Sequence, residues 1–182
     1  MTVKGVKAKP KIVLITGSVR PNSLTTASLL IAKDEFLKLG CDVSFIDLKD
    51  LDMHSFLQMI PVDQANKYSK LVEVADAVML ATPEYNGSYS AVMKAIVEAL
   101  GFPSPLDGKP VSLLGVAAGA IGAIKALEHM RSMVAHCGGI VLPFALSIKE
   151  AHLLIDDSGH CLDPLLENSI REQARKLVEA IS

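Results

Sequence analysis

Two short stretches hold the residues best suited to chemistry. The first, Gly17-Ser18-Val19-Arg20-Pro21-Asn22-Ser23-Leu24-Thr25, runs from the end of a β-branched segment straight into a helical pattern. The hydroxyls of Ser18, Ser23 and Thr25 can donate hydrogen bonds, Arg20 supplies a fixed cationic fork, and the N-terminus of the helix that the stretch runs into offers unpaired backbone N–H groups. Together they describe a cradle for a phosphate. A plain helix cap would account for Ser and Asn at such a place, but a cap needs no cation. The second stretch, Thr82-Pro83-Glu84-Tyr85-Asn86-Gly87-Ser88-Tyr89, carries two of the chain's three tyrosines. Pro and Asn-Gly alone would mark a turn, and a turn has no need of two aromatic side chains. An aromatic wall beside a phosphate cradle suits a flat conjugated ring joined to a phosphate.

Other chemistries fail on spacing. No G-x-G-x-x-G follows a strand, so the dinucleotide fingerprint is absent, and Gly108-Lys109 lacks the earlier glycine of a P-loop. The five histidines make no H-E-x-x-H, and no G-x-S-x-G elbow occurs. His129 and His136, seven residues apart on one helical pattern, read as ordinary surface or core histidines. A receiver domain, by resemblance to that family, would need clustered carboxylates where this chain has Gly17 and Thr82. The residues thus offer neither a metal site nor a catalytic acid, base or nucleophile.

The elements that must position these stretches follow from hydrophobic patterning. Ile12 to Thr16, Val43 to Ile46, Ala77 to Thr82, Val111 to Val116 and Ile140 to Leu146 are continuous apolar or β-branched runs, the pattern of strands buried on both faces. Between them lie helical segments. Ala27, Leu30, Ile31 and Leu37 predict the apolar face of the first, with Gly40 as its stop. Others are predicted over about Asn66 to Val74, Ser90 to Leu100 and Ala123 to His136. The last buries Leu166, Ile170, Ala174, Leu177 and Ile181 and pairs Glu172 with Lys176 at i,i+4. Five strands alternating with five helices predict a parallel sheet of order 2-1-3-4-5, covered on both sides. Ligands of such sheets bind beyond the strand carboxyl ends where the winding reverses, here between strands one and three. Those are the two strands the chemical stretches follow.

With 182 residues, the chain is expected to form a single domain over 1–182, residues 1–10 being a flexible N-terminal lead. Apolar residues make up 50% and the net charge is only −2 with no like-charge block, which argues against disorder, a nucleic-acid footprint or a polybasic membrane patch. The uncharged stretch Val111 to Ile124 falls short of the ~20 residues of a membrane span. Ile12 to Ile15 is too short for a signal-peptide core. Three cysteines without C-x-x-C spacing suit a reducing compartment, so the expected location is cytoplasmic. One long irregular stretch, Leu48 to Gln64, is apolar for a loop, with Met53, Phe56, Leu57, Met59 and Ile60. It reads equally as a lid or as a loop folded over its own cluster.

Gly17-Ser18-x-Arg20-x-x-Ser23, Pro83-Glu84-Tyr85-Asn86-Gly87-Ser88 and Gly108-Lys109-Pro110-Val111 together resemble the NADPH-dependent FMN reductase family of flavodoxin-like proteins, which includes quinone, azo-dye and chromate reductases. The resemblance runs from Lys11 to the last helix. It implies a flavodoxin-like three-layer α/β sandwich and bound FMN, with NADPH or NADH as hydride donor and a quinone, azo compound, chromate or free flavin as acceptor. Carried over residue by residue, it implies that Ser18, Arg20, Ser23, Leu24 and Thr25 hold the FMN phosphate. Thr25 stands where the family often has Asn. The ring site would be lined by Pro83, Glu84, Tyr85, Asn86 and Gly87. It would be closed by backbone of the loop Ala117 to Gly122, Ala118 and Gly119 among it. The resemblance also implies a homodimer or homotetramer. That agrees with the apolar residues Ala91, Val92, Met93, Ala95, Ile96, Val97, Ala99 and Leu100, which leave only a narrow polar stripe on their helix and call for a second partner to bury them. The alternative is a flavodoxin-type electron carrier with no reductase activity of its own. Carriers of that kind are, by resemblance, strongly acidic, with a Thr-rich phosphate loop lacking Arg. A flavin-free scaffold on the same fold is a third reading.

Overall fold

The structure, a computed structural model, describes residues 8–47, 49, 54 and 63–182. The expectations for the N-terminal lead at 1–7 and for most of the apolar stretch 48–64 fall outside the described residues. Seven strands form one sheet: β1 (Lys11–Thr16), β2 (Asp42–Asp47), β3 (Ala77–Tyr85), β4 (Ser88–Tyr89), β5 (Pro110–Val116), β6 (Ile140–Val141) and β7 (Leu146–Ile148). The order is β2-β1-β3-β5-β6, with β4 antiparallel to β3 and β7 parallel to β5. The helices are α1 (Leu24–Lys38), α2 (Asp63–Glu73), α3 (Ala91–Ala99), α4 (Ile124–His136), α5 (Ala151–Leu154) and α6 (Pro164–Glu179).

The expected order survives, but the expected five strands become seven. The run Ile140 to Leu146 is broken in two because Pro143 has no N–H to give the ladder, and both pieces pair with β5. Buried Gln173 of α6 plugs the gap, its Nε2 donating to Leu113 O at 2.7 Å and Phe144 O at 3.3 Å. The other addition, β4, is half of a two-pair hairpin closed by Asn86 and Gly87. Both have positive φ, 51° and 74°, the turn that matches strand twist.

Alternation along the strands sends one set of side chains to each face. Val13, Ile15, Val78, Leu80, Val111 and Leu113 pack under α2, α3 and α4. Ile12, Leu14, Ala77, Met79, Leu114 and Val116 pack under α1 and α6. Three layers result, with all central strands buried on both sides. The last helix buries Leu166, Ile170, Ala174 and Leu177 as its pattern predicted, with Gln173 added, while Ile181 lies past its end and is half-buried. The first follows its pattern only at Ala27. Its buried face is Thr25, Ala27, Ser28, Leu29, Ala32, Glu35 and Phe36, while Leu30 and Leu37 are exposed. Its apolar and polar residues are spread around the helix, with Thr25, Ser28 and Glu35 on the buried side and Leu30 and Leu37 on the exposed one, so hydrophobic contrast could not fix the face. A charge network does: Arg171 and Arg175 of α6 meet Asp34 at 2.6 Å and buried Glu35 at 2.7 Å, and Lys38 with Arg171 holds the Asp34 carboxyl below the ordinary carboxylate range. Helix α2 starts three residues before its predicted start, and the short α5 was absent from the sequence reading.

The apolar residues of α3 need no second molecule. Met93, Ala95, Ile96, Val97 and Leu100 are buried within the chain, in one cluster with Tyr68 and Val72 of α2, Leu106, and Met130 and Val134 of α4, and Ala99 is buried too. The premise that this stripe is unpartnered is therefore corrected. Among the described residues no helix is long and apolar enough to cross a membrane.

Candidate functional site

Both chemical stretches leave the sheet at its carboxyl edge, from neighbouring strands β1 and β3. They are tied together at the base. Gly17 N–H donates to Ala81 O at 2.7 Å, the Ser90 hydroxyl donates to Gly17 O at 2.6 Å, and Ser90 N–H donates to Thr82 Oγ1 at 3.1 Å. A Cβ on Gly17 would stand 3.0 Å from the Met93 Cβ and 3.1 Å from Ala81 O. The glycine is thus required for packing of α3 and β3 against the loop, rather than for approach of a ligand.

Between the loops opens a cavity of about 680 Å³. Ser18, Arg20, Ser23, Leu24 and Thr25 line one side, Pro83, Glu84 and Tyr85 a second, and Val116, Ala117 and Ala118 a third. Ser18 and Thr25 are 4% and 2% exposed. Among the described residues neither hydroxyl, nor the Arg20 guanidinium, has a hydrogen-bond or ion-pair partner. The two residues are buried but their hydroxyl oxygens keep access to the cavity, and two free donors beside a free guanidinium at a helix N-terminus fit a phosphate group. Ser23 is the N-cap, accepting from Thr26 N–H at 3.3 Å, and keeps its own proton to donate. Asn22, at φ 51°, turns the chain into that cap.

Three sequence-predicted residues lie outside the cavity lining. Asn86 and Gly87 form the hairpin turn, and Gly119 O accepts from Gly122 and Glu150 N–H, each at 3.2 Å. Tyr89, expected beside Tyr85, lines a different groove. The Glu84 carboxylate is engaged as well: its Oε2 accepts from Ala126 N–H at 3.0 Å, in the first turn of α4. Helix α4 has no cap of its own, because Ala123 carries no polar side chain. Glu84 and Ser147 Oγ, which accepts from Ala123 N–H at 2.9 Å, cap it from other elements, an arrangement stabilised by the positive end of the helix.

The sequence reading missed the fourth wall. Ala151, His152, Ile155, Asp156, Asp157 and Leu162 close the cavity from the segment between β7 and α6. Here a short hairpin is held by Asp156, whose Oδ1 accepts from the Ser158 hydroxyl at 2.6 Å, Ser158 N–H at 2.9 Å and His160 N–H at 3.0 Å. Those bonds, the Ser158 hydroxyl first, keep its carboxyl below the usual range. Gly159 packs on α1, where an added Cβ would sit 3.3 Å from the Ala27 Cβ. The signal for this wall was topological: a segment leaving the carboxyl end of the last strand must pass the cleft. A groove of similar size, about 690 Å³, lies between α3 and α4, lined by Tyr89, Lys94, Glu98, Phe102, His129, Met133, His136 and Cys137. Lys94 and Glu98 form an ion pair there. Volume does not separate the two cavities; among the described residues the first is the one at the strand switch point, with unpartnered hydroxyls and a guanidinium at a helix N-terminus. No group of three or more His, Cys, Asp or Glu among the described residues could hold a metal ion.

The doubly wound sheet and its switch-point cavity define a flavodoxin-like α/β protein, and solved structures agree. An NADH:FMN oxidoreductase in its apo form superposes with a TM-score of 0.80 at 20% identity, covering 96% of this chain and 91% of the other. The NAD(P)H:(acceptor) oxidoreductase FerB of Paracoccus denitrificans gives 0.76 at 20% identity, covering 94% and 97%. In sequence, the chain is 30% identical over 177 residues to an NAD(P)H-dependent FMN reductase of Pseudomonas aeruginosa, covering 92% of each. It is 27% identical to an FMN-dependent NADPH-azoreductase of Staphylococcus aureus, covering 94% of this chain and 93% of that one. The family profile described as NADPH-dependent FMN reductase matches residues 10–153. The chain belongs to the NADPH-dependent FMN reductase family and is an FMN-dependent NAD(P)H oxidoreductase.

Proposed function

We propose that the switch-point cavity is the FMN site and that the chain reduces small acceptors such as quinones, azo compounds, chromate or free flavin. Bound FMN supplies the redox chemistry, taking hydride from NADPH or NADH and passing electrons to the acceptor. The protein's residues bind, orient and exclude water. The observation that carries the reading is the pair of unpartnered hydroxyls of Ser18 and Thr25 lining the cavity beside Arg20. These hold the phosphate, with Ser23 and the N–H groups of Leu24 and Thr25 completing the cradle. Pro83, Glu84 and Tyr85 border the ring, Ala118 closes it with backbone, and Asn86, Gly87 and Gly119 keep the two ring loops in shape. Ile155 and Leu162 shield the cavity from water. No side chain is assigned as acid or base. The deciding experiment is the colour of the purified protein after incubation with FMN. Yellow protein bleached anaerobically by NADPH or NADH supports a reductase; yellow but inert protein supports the electron carrier; colourless protein supports the scaffold.

Tyr85, 43% exposed at the cavity rim, sets the ring end of the site in this reading. Tyr85→Ala is expected to lower acceptor turnover by about 2- to 10-fold, with Tyr85→Phe close to wild type, since an aromatic contact is worth ~0.5–1.5 kcal/mol. Equal quinone reduction by Ala and wild type would reduce the hairpin to a mere turn.

The reading includes one FMN-binding domain, a cytoplasmic location in keeping with three free cysteines, no nucleic-acid or membrane partner, and a homodimer or homotetramer. With α3 covered internally, the surface assigned to the second copy is the α3–α4 groove, where Phe102 stands 100% exposed beside Val97 and Met133. Phe102→Asp is expected to lower the mass seen by light scattering to that of one chain. A charge at Met93 or Val97 would instead damage the core. Wild-type protein that is monomeric at micromolar concentration sinks the oligomer.

A further inference from the structure

The ring-side hairpin is too small to hold itself. Two residue pairs, Glu84 with Tyr89 and Tyr85 with Ser88, make up its whole ladder, and an isolated two-stranded ribbon is marginal even when longer. Its base is fixed through Ser90 and Thr82, and Glu84 is fixed to α4. The contact nearest the tip is a hydrogen bond between Ser88 Oγ and His129 Nδ1, 3.0 Å apart and 41 residues apart in sequence. His129 lies one turn along α4 from Ala126, the residue that holds Glu84. Helix α4 itself begins where the loop that closes the ring site ends. One helix therefore connects both ring-side loops.

We propose that His129 is a positioning residue for the ring end of the cavity, fixing the Tyr85–Ser88 hairpin through Ser88. A neutral imidazole with its proton on Nε2 accepts from the Ser88 hydroxyl; one with a proton on Nδ1, or the imidazolium, donates to it. The tie persists in every protonation state, so it is a restraint rather than a pH switch. An exposed side-chain hydrogen bond adds little to global stability. Its loss changes where the hairpin sits, not whether the chain folds. The inference rests on the FMN reading for its consequence, but the restraint belongs to the protein without ligand.

The test uses His129→Leu, His129→Asn, Ser88→Ala and the double variant of Leu and Ala. Asn places a hydrogen-bonding atom near the Nδ1 position and is the conservative rescue. In flavin-free protein, amide hydrogen exchange at Gly87 to Ser90 is expected to quicken in His129→Leu and return toward wild type in His129→Asn, with the thermal midpoint nearly unchanged. With flavin, the Leu variant is expected to bind FMN and riboflavin about 3- to 10-fold more weakly, by the same factor for both, because the ring end and not the phosphate end has moved. The visible band of bound flavin should shift toward that of free flavin. Ser88→Ala should match these effects, and the double variant should add nothing to either. Unchanged exchange in His129→Leu, or additive effects of the two single variants, overturns the proposal. Wild-type protein that binds no flavin would overturn the FMN reading alone, and the exchange measurements would still decide the role of His129.

Discussion

Arg20→Ala is expected to weaken FMN binding by about 10- to 100-fold while leaving riboflavin binding nearly unchanged, because a charge-assisted bond to an anion is worth ~1.5–3 kcal/mol. The argument starts from what the guanidinium does not do. Arg20 is exposed, forms none of the ion pairs that involve described residues, and lines the cavity next to the N-terminus of α1. Removing it therefore breaks no internal contact, and the thermal midpoint of the flavin-free protein should hardly move. The riboflavin control matters because it lacks the phosphate: a loss common to both flavins would mean that the loop had collapsed. Raising the salt concentration should shrink the difference between wild type and variant, as screening weakens an exposed charge interaction. An FMN dissociation constant that is the same in both proteins would remove Arg20 from the cradle and leave the Ser18 and Thr25 hydroxyls without their cation.

What the sequence revealed of this site, and what it hid, follows from how local each signal is. Strands β1, β3 and β5 are buried on both faces, so their apolar runs are continuous and hard to misread. The loops after β1 and β3 carry their own signals in Arg20, Ser23, Pro83 and Asn86-Gly87, and the sheet order brings them together. The face of α1 was misjudged because Leu30 and Leu37 are as apolar as Leu29 and Phe36; what orients the helix is Glu35 meeting Arg171 and Arg175 more than 130 residues away. The break between β6 and β7 depends on Pro143, visible in sequence, and on Gln173 filling the gap, which is not. The wall from Ala151 to Leu162 has no motif and is placed by chain path alone. The α3 stripe looked unpartnered because α2 and α4, which with Leu106 cover it, lie in separate segments of the sequence. Periodicity reports how much of a helix is buried but not by what.

In the loop closing the ring site a single methyl group should harm both stability and function. Gly122 has φ +81°, and a Cβ there would stand 2.5 Å from Ser147 Oγ. Gly122→Ala therefore meets two penalties. A left-handed conformation costs a non-glycine residue ~1–2 kcal/mol. The displaced Ser147 hydroxyl is also the group that accepts from Ala123 N–H at the uncapped start of α4, and losing a cap costs ~0.5–2 kcal/mol. The expected sum is about 1.5–4 kcal/mol of stability, read as a fall in urea midpoint with little change in slope. Function should suffer beyond this. If α4 shifts at its start, the Ala126 N–H that holds Glu84 shifts with it, and both ring-side loops move together. Flavin bound by the variant should therefore be held weakly at the ring, FMN and riboflavin losing affinity alike, in contrast to the phosphate-selective loss in Arg20→Ala. Ser147→Ala in the Gly122→Ala background should relieve the steric clash but not restore the cap, recovering part of the stability. A Gly122→Ala protein as stable as wild type would show that loop and helix start can move apart freely, and the coupling between the two ring-side loops would fall with it.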